Sequence, residues 1–307
     1  MERLTRRELI KGGLASGLAL VVGENLLGER RKMNKAKFRL KYAPHFGMFV
    51  HHAGNDLVDQ LKFAADEGFQ AWEDNGMKGR PVAEQERIAK AMSQLGMEMG
   101  IFVINPNTAW KPSLSTGSKE GVDEFVKECR SAVEVAKRVN AKWMTLVPGT
   151  MDSRLDKGFQ LANVIDGLRF GAEVLEPHGL VMVMEALNSR RDHPGMVLSK
   201  VADAYLICRA VNSPSLKILY DFYHQQIDDG NLIPNMDLCW SEIAYFQIGD
   251  TPGRAEPMSG ETNYRNVFKH VYEKGYTGIL GMEHGMSKPG KEGERALIEA
   301  YRWCDDF

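Results

Sequence analysis

The chain has 307 residues, 43% hydrophobic and 26% charged, a composition typical of a folded globular protein and not of a disordered or fibrous one. Its 39 lysine and arginine residues nearly balance its 41 aspartate and glutamate residues, so the formal net charge is −2 at pH 7. This balance argues against a nucleic-acid partner, which requires a basic surface field. Four widely spaced cysteines, with no CxxC pair, indicate neither a disulfide framework nor a zinc site.

The first 32 residues are predicted to lie outside the folded domain. Arg6, Arg7 and Lys11 precede a weakly apolar, glycine-rich run of about a dozen residues, the size of a signal-peptide core. This run is too short to span a bilayer as a helix, which needs about 20 apolar residues, so no stable membrane span is expected. The paired arginines resemble a twin-arginine export signal, which predicts a periplasmic protein. The alternative is an extension that stays attached to a cytoplasmic protein.

From residue 33 to residue 307, short apolar runs alternate with longer segments of helical period. Strands are predicted at 38–43, 69–73, 97–104, 143–147, 180–185, 216–221, 243–249 and 278–283. Helices are predicted at 56–67, 81–94, 121–140, 158–177, 194–211, 263–274 and 293–303, with a short helix ending near Asp237. Eight strand–helix pairs in about 270 residues match the size of a (β/α)8 barrel, and strict alternation implies a parallel sheet.

A doubly wound open sheet is the alternative α/β fold. Such a sheet usually carries a glycine-rich phosphate loop after its first strand, and residues 44–49 contain none. The sequence therefore predicts a single-domain (β/α)8 TIM barrel over residues 33–307.

Polar side chains stand at the ends of the last four predicted strands. Glu185, Asp221 and Glu283 end the fifth, sixth and eighth strands, and Gln247 lies in the seventh. The C-terminal ends of barrel strands meet at one rim, so these four side chains are expected to converge. Three carboxylates can share a small volume only around a cation, and oxygen ligands favour Mg²⁺ or Mn²⁺. Four separate polar caps are the alternative.

Three segments of the second half resemble the hydroxypyruvate isomerase branch of the xylose isomerase-like barrels. They are 180–188, 220–224 and 246–257, and the last contains the run Gln-Ile-x-Asp-x-Pro-Gly-Arg-x-Glu-Pro. The resemblance implies an aldose–ketose isomerase with one divalent metal ion, Mn²⁺ or Mg²⁺ with Co²⁺ as an alternative. It also implies four metal ligands, Glu185, Asp221, Gln247 and Glu283. Gln247 fits this branch, because the epimerase-like members tend to carry histidine there.

Glu185 and Glu283 are the candidate catalytic residues. Isomerisation removes a proton from the carbon beside a carbonyl and returns one at the neighbouring carbon, through an enediolate that a metal ion stabilises. The two carboxylates come from opposite sides of the ion, so each can ligate with one oxygen and exchange a proton with the other.

Further residues are expected to bind the substrate, a small sugar or hydroxy-keto acid. Arg254 is a planar clamp for a substrate oxygen or carboxylate, and His224 is a hydrogen-bond partner for a hydroxyl. Glu73 either binds substrate or orients Arg254, and Glu256 of the matching run is also assigned to the substrate. Trp110 and Phe49 are candidate pocket walls.

Other functions stay open at this point. A ketose 3-epimerase, or a related sugar epimerase or dehydratase, uses the same chemistry. A metal-dependent phosphodiesterase resembling endonuclease IV needs a histidine-rich site and a basic face, and a sugar-binding barrel needs no opposed glutamates. Arg190 and Arg191 either recognise an anionic substrate or belong to a solvated loop. The exterior helices also allow a homo-oligomer.

Overall fold

Eight parallel strands form the centre of the fold. The computed structural model describes residues 35–307, so the predicted export segment lies outside the described residues. The strands are β1 (Lys41–Ala43), β2 (Ala71–Trp72), β3 (Glu98–Met99), β4 (Trp143–Leu146), β5 (Val181–Glu185), β6 (Leu216–Asp221), β7 (Ile243–Gln247) and β8 (Ile279–Gly281).

The strands close into a ring. Six of them form one sheet in the order β1-β8-β7-β6-β5-β4, and β2 pairs with β3. Parallel bridges join His45 to Glu73 and Val103 to Thr145, which connects the β2–β3 pair to both edges of the larger sheet. The backbone N–H of Glu73 also donates to the carbonyl of Pro44 at 3.0 Å. The predicted TIM barrel is therefore confirmed.

Several predicted elements are longer than the observed ones, and three of them show why. Strands were expected over 69–73 and 97–104, but regular pairing covers only β2 and β3 and gives way to single bridges beyond them. The reason is that apolar runs report burial and not hydrogen bonding: Ile101 and Phe102 are fully buried outside any ladder. The helix expected over 194–211 starts only at Val201, because the preceding residues form a turn and a buried loop.

Ten α-helices lie within the described residues and surround the strands. They are α1 (Val50–Ala53), α2 (Leu57–Asp66), α3 (Val82–Leu95), α4 (Lys119–Val139), α5 (Lys157–Leu175), α6 (Val201–Val211), α7 (Phe222–Asp228), α8 (Leu232–Cys239), α9 (Tyr264–Glu273) and α10 (Gly290–Asp305). Short 3₁₀ helices cover Met77–Gly79, Leu114–Thr116, Glu176–His178 and Trp240–Glu242. Helices alternate with strands along the chain, as parallel pairing requires.

The α4 helix shows how the sequence sets these elements. The Ser118 hydroxyl accepts a hydrogen bond from the N–H of Gly121 at 3.1 Å and so caps the start of the helix. Asn140 ends it in the left-handed conformation with φ +54°. The face that packs inward is formed by Phe125, Cys129, Ala132, Val133 and Ala136.

The last helix is tied to the first. Glu294 of α10 is fully buried, and its carboxylate accepts hydrogen bonds from the backbone N–H groups of His51 at 2.7 Å and His52 at 3.0 Å. Helix α1 is thereby held against α10. No helix in residues 35–307 is long and apolar enough to cross a membrane. All four cysteines are free and buried.

Candidate active site

Strand register brings the predicted polar residues to one rim. Asp221 of β6 pairs with Gln247 of β7, which in turn pairs with Gly281 of β8. Glu185 is the last residue of β5, and Glu283 lies two residues beyond the end of β8. The strands are parallel, so all four side chains leave the barrel at the same end.

A tight group of potential ligands results. Glu185, Asp221, His224 and Glu283 each offer one atom, and these atoms all lie within 4.8 Å of one another. Within residues 35–307 this is the only group of three or more such side chains.

Three oxygens at this rim have no partner. Oε1 of Glu185, Oδ2 of Asp221 and Oε1 of Gln247 are buried and accept no hydrogen bond from any residue in 35–307. Buried polar atoms are normally paired, because an unpaired one loses its hydration without compensation. Three convergent oxygens without donors therefore fit a divalent cation, and hard cations prefer such ligands.

Backbone hydrogen bonds at the start of helix α7 orient the Asp221 carboxylate. Asp221 caps helix α7, and its Oδ1 accepts hydrogen bonds from the N–H groups of Tyr223 at 2.7 Å and His224 at 3.3 Å. Oδ2 is left facing the site. The same turn places His224 Nε2 3.5 Å from Glu185 Oε1 and 3.7 Å from Asp221 Oδ2.

Asn188 fixes the tautomer of His224, a role that sequence reasoning missed. Its backbone N–H and its side-chain amide lie 3.2 Å and 2.7 Å from His224 Nδ1. Both groups are donors, so Nδ1 accepts and Nε2 carries the proton toward the site. Burial, assisted by the charge of Arg254, lowers the pKa of His224 to about 3. The ring is therefore a neutral donor at physiological pH.

Arg254 spans the mouth of the site. Its Nη2 donates to Glu283 Oε2 at 2.9 Å and lies 3.9 Å from Asp221 Oδ2, while its guanidinium stacks 4.8 Å from the centre of the Tyr223 ring. Burial alone would lower the pKa of Arg254, but the surrounding carboxylates raise it, so the group stays charged. Glu283 also accepts a hydrogen bond from Asn75 at 3.0 Å.

The buried position of the acidic groups disfavours their charged forms. Burial raises the pKa of Glu185 well above its usual range, and the nearby Glu283 and Asp221 raise it further. Burial also raises the pKa of Asp221, against the lowering effect of Arg254. A bound cation would relieve this cost by keeping the carboxylates ionised.

Glu73 points into the barrel. It is buried, and its Oε2 accepts a hydrogen bond from the Tyr245 hydroxyl at 3.1 Å. Within the described residues it forms neither a hydrogen bond nor an ion pair with Arg254, so the expected orienting contact is not observed. Burial raises its pKa well above the usual range, Glu283 raises it further, and hydrogen bonds from Tyr245 and Gln247 partly counter the rise.

A small polar cavity opens beside Glu283. Its volume is about 290 Å³, which suits a substrate of a few carbon atoms. The lining residues are His45, Phe46, Glu73, Asp74, Asn75, Gly76, Arg80 and Glu283.

Two residues expected in the pocket lie apart from it. Both carboxylate oxygens of Glu256 accept hydrogen bonds from Ser287, from its N–H at 2.8 Å and from its hydroxyl. Glu256 therefore fastens the loop after β8 to the loop after β7, and each of its oxygens is engaged with Ser287 there. Phe49 is fully buried against Phe63 and Phe69, so it belongs to the core and not to a pocket wall.

An aromatic row leads outward from the site. Trp110, 56% exposed, stacks on the ring of His193 with centroids 5.6 Å apart, and His193 lies 5.4 Å from the ring of His224. The Trp110 side chain thus stands at the outer end of this row. His193 was not predicted, because nothing in the sequence relates it to Trp110.

The paired arginines belong to the loop after β5. Arg190 lies 3.6 Å from Asp228, and Arg191 donates to the carbonyl of Pro252 in the loop after β7. Each has a protein partner, which favours a structural role in this loop.

The fold and the site together define a TIM barrel with an acidic cluster at its C-terminal rim. Residues 61–307 match the family described as xylose isomerase-like TIM barrel, and the chain belongs to this family. The chain is 27% identical over 250 residues to the 2-oxo-tetronate isomerase of Pectobacterium atrosepticum, covering 81% of this chain and 93% of that protein. It is 30% identical over 185 residues to the hydroxypyruvate isomerase of Escherichia coli, covering 60% of this chain and 69% of that protein.

Solved structures support the fold. A family 2 AP endonuclease from Brucella melitensis superposes with a TM-score of 0.70 at 23% identity, covering 83% of this chain and 96% of that one. The 3-keto-D-glucoside 4-epimerase of Escherichia coli superposes with a TM-score of 0.69 at 19% identity, covering 86% of this chain and 98% of that one. These proteins carry different activities, so the likeness concerns the barrel alone.

Proposed function

We propose that the chain is a divalent-metal-dependent isomerase that interconverts aldose and ketose forms of a small hydroxy-keto acid. The substrates named for its relatives, hydroxypyruvate and 2-oxo-tetronate, are of this class. The observation that carries the proposal is that the ligand atoms of Glu185, Asp221 and Glu283 lie within 4.8 Å of one another, with buried, unpartnered oxygens on Glu185, on Asp221 and on Gln247, the strand partner of Asp221. These four residues would hold the ion, Mn²⁺ or Mg²⁺, with Co²⁺ as an alternative.

The bound ion would supply positive charge that keeps the carboxylates ionised and polarises a substrate carbonyl. The protein supplies the remaining chemistry. Hydroxypyruvate is a 2-oxo acid with a hydroxyl on C3, so its isomerisation removes one proton from C3 and returns one to C2. The hydroxyl proton leaves O3, and O2 gains one, so no atoms are lost.

Glu185 and Glu283 divide the carbon proton transfer. Glu185 ends strand β5, and Glu283 lies two residues after strand β8. One ligand atom of each lies within the same 4.8 Å cluster. One carboxylate accepts the proton from C3 and the other returns a proton to C2. A positioned general base or acid contributes about 10²–10⁴-fold to such a step.

His224 and Arg254 hold the substrate oxygens. The neutral His224 ring presents its Nε2 proton toward the site and donates it to a substrate oxygen. Arg254 keeps its charge and offers a planar array of donors that matches the substrate carboxylate. The cavity beside Glu283 has room for the rest of a small molecule.

Solvent exchange tests the proposal. Protein loaded with Mn²⁺ is incubated in D₂O with hydroxypyruvate or 2-oxo-tetronate, and deuterium at carbon is measured by NMR together with the products. The proposal predicts deuterium incorporation together with an aldehyde product from hydroxypyruvate or a 3-oxo acid from 2-oxo-tetronate. Stereoinversion at C3 of 2-oxo-tetronate without migration of its carbonyl would indicate an epimerase, and substrate binding without exchange would indicate a sugar-binding barrel.

Glu283→Gln tests the assignment of the proton transfer. The variant retains an oxygen ligand, so it should keep much of the bound Mn²⁺ while turnover falls about 100-fold or more. Glu292→Gln, the same change at an exposed position of α10, is the matched control and should leave turnover unchanged. Full activity of Glu283→Gln would remove Glu283 from the mechanism.

A further inference from the structure

Glu73 crosses the inside of the barrel to reach the strand that carries Gln247. Its carboxylate accepts the Tyr245 hydroxyl at 3.1 Å, and Tyr245 and Gln247 lie two residues apart on β7. Side chains two apart on a strand point to the same face, so both project inward. The Gln247 side chain lies near enough to the Glu73 carboxylate to lower its pKa as a donor.

The neighbouring strand β8 leaves room for this carboxylate. Gln247 pairs with Gly281 of β8. A Cβ atom at position 281 would overlap Oε2 of Glu73 and lie 2.6 Å from its Cδ and 2.9 Å from its Oε1. The Glu73 carboxylate therefore occupies the place of a side chain at 281, next to Gln247.

An amide ligand has an orientation problem that a carboxylate lacks. Only the oxygen of Gln247 can bind a cation, and a half-turn of the amide would present its NH₂ group instead. The observed Oε1 is buried and unpartnered at the site. An acceptor that holds the nitrogen on the other side is therefore required, and the Glu73 carboxylate lies at the Gly281 position that pairs with Gln247.

We propose that Glu73 is a positioning residue that fixes the Gln247 amide with its oxygen toward the metal site and its nitrogen toward the barrel interior. This inference rests on the proposed function, because it assigns Gln247 as a ligand. Groups behind metal ligands commonly change metal affinity by about 10–100-fold when altered.

Two conservative variants of Glu73 distinguish the effect of side-chain length from the effect of charge. Glu73→Asp keeps the charge but withdraws the carboxylate by one methylene group, so Mn²⁺ affinity should fall about 10-fold or more. Glu73→Gln keeps the reach and an acceptor oxygen, and its NH₂ group can donate to the Tyr245 oxygen, so affinity should stay within about threefold. Affinity is measured by titrating the metal-free full-length protein with Mn²⁺ alone in a calorimeter.

A double-mutant cycle tests whether the effect passes through Gln247. In a Gln247→Ala background, Glu73→Asp should cause no further loss of Mn²⁺ affinity. Circular dichroism and urea unfolding of the metal-free proteins check that each variant folds. Should Glu73→Asp not fold, Gly281→Ala displaces the same carboxylate without changing residue 73, and it should weaken Mn²⁺ binding as well.

The outcomes distinguish the two proposals. Wild-type protein that binds no divalent ion overturns the proposed function and this inference together. Mn²⁺ binding by the wild type with equal affinity in Glu73→Asp overturns the positioning role alone. Equal losses in Glu73→Asp and Glu73→Gln, or a loss that persists in the Gln247→Ala background, would also refute it, because charge or general packing would then be responsible.

Discussion

The glycine beneath the site provides a direct test of how the barrel interior is filled. At Gly281, an added Cβ would overlap the Glu73 carboxylate, lying 2.6 Å from Cδ and 2.9 Å from Oε1. The backbone φ of Gly281 is not in the left-handed region, so alanine is disfavoured only by this overlap. Overpacking a core costs about 1–3 kcal/mol. We expect about 3 kcal/mol for Gly281→Ala, because moving the carboxylate also breaks its hydrogen bond with Tyr245.

The measurement is urea-induced unfolding of the wild type, Gly281→Ala, Glu73→Ala and the double variant. If the carboxylate is the obstacle, Gly281→Ala should cost less than about 1 kcal/mol in the Glu73→Ala background. The matched control is Gly158→Ala in α5, where a new Cβ meets no atom within 4 Å, so stability should be unchanged or slightly higher. An equal cost of Gly281→Ala in both backgrounds would refute the assigned role of Glu73 in filling this space.

Three further predictions concern other parts of the molecule. Burial alone would raise the pKa of Glu294, but hydrogen bonds from α1 lower it below the unfolded value of about 4.5. The stabilising effect of Glu294 should therefore be present at neutral pH and lost as the pH falls below about 4.5. In urea unfolding, the free energy of unfolding of Glu294→Gln should fall less between pH 5 and pH 3 than that of the exposed control Glu299→Gln. Trp110→Ala removes the outer end of the aromatic row, so steady-state kinetics should show a higher KM with little change in unfolding free energy. Replacing Arg6 and Arg7 by lysine should retain the protein in the cytoplasm of a bacterial host, as cell fractionation would show; unchanged export would contradict a twin-arginine signal.

The rim of the barrel could be predicted because it depends on local patterns. Glu185 and Asp221 end apolar runs of strand length, and Gln247 ends β7 as well. In a parallel barrel the same end of every strand reaches the same rim, so knowing the end of each run is enough to bring these residues together. The closed ring followed from the number of strand–helix pairs.

Long-range partners could not be predicted in this way. The sequence places Glu256 beside Arg254 but carries no signal that Ser287, 31 residues later, takes both of its oxygens. Phe49 is an aromatic residue near the rim, and only the packing of the following helix shows that it is buried. The inward position of the Glu73 carboxylate depends on Gly281, 208 residues later, which the sequence pattern shows only as an ordinary strand residue.

The three unpartnered oxygens also affect how long the protein would persist in a cell. On the proposed function, an ion that binds only the folded chain stabilises it by about 2.7 kcal/mol when its free concentration is 100 times its dissociation constant. A shortage of divalent ions would then increase the fraction of unfolded chains that proteases can degrade. Nutrient conditions would set the amount of this protein as well as its rate of turnover.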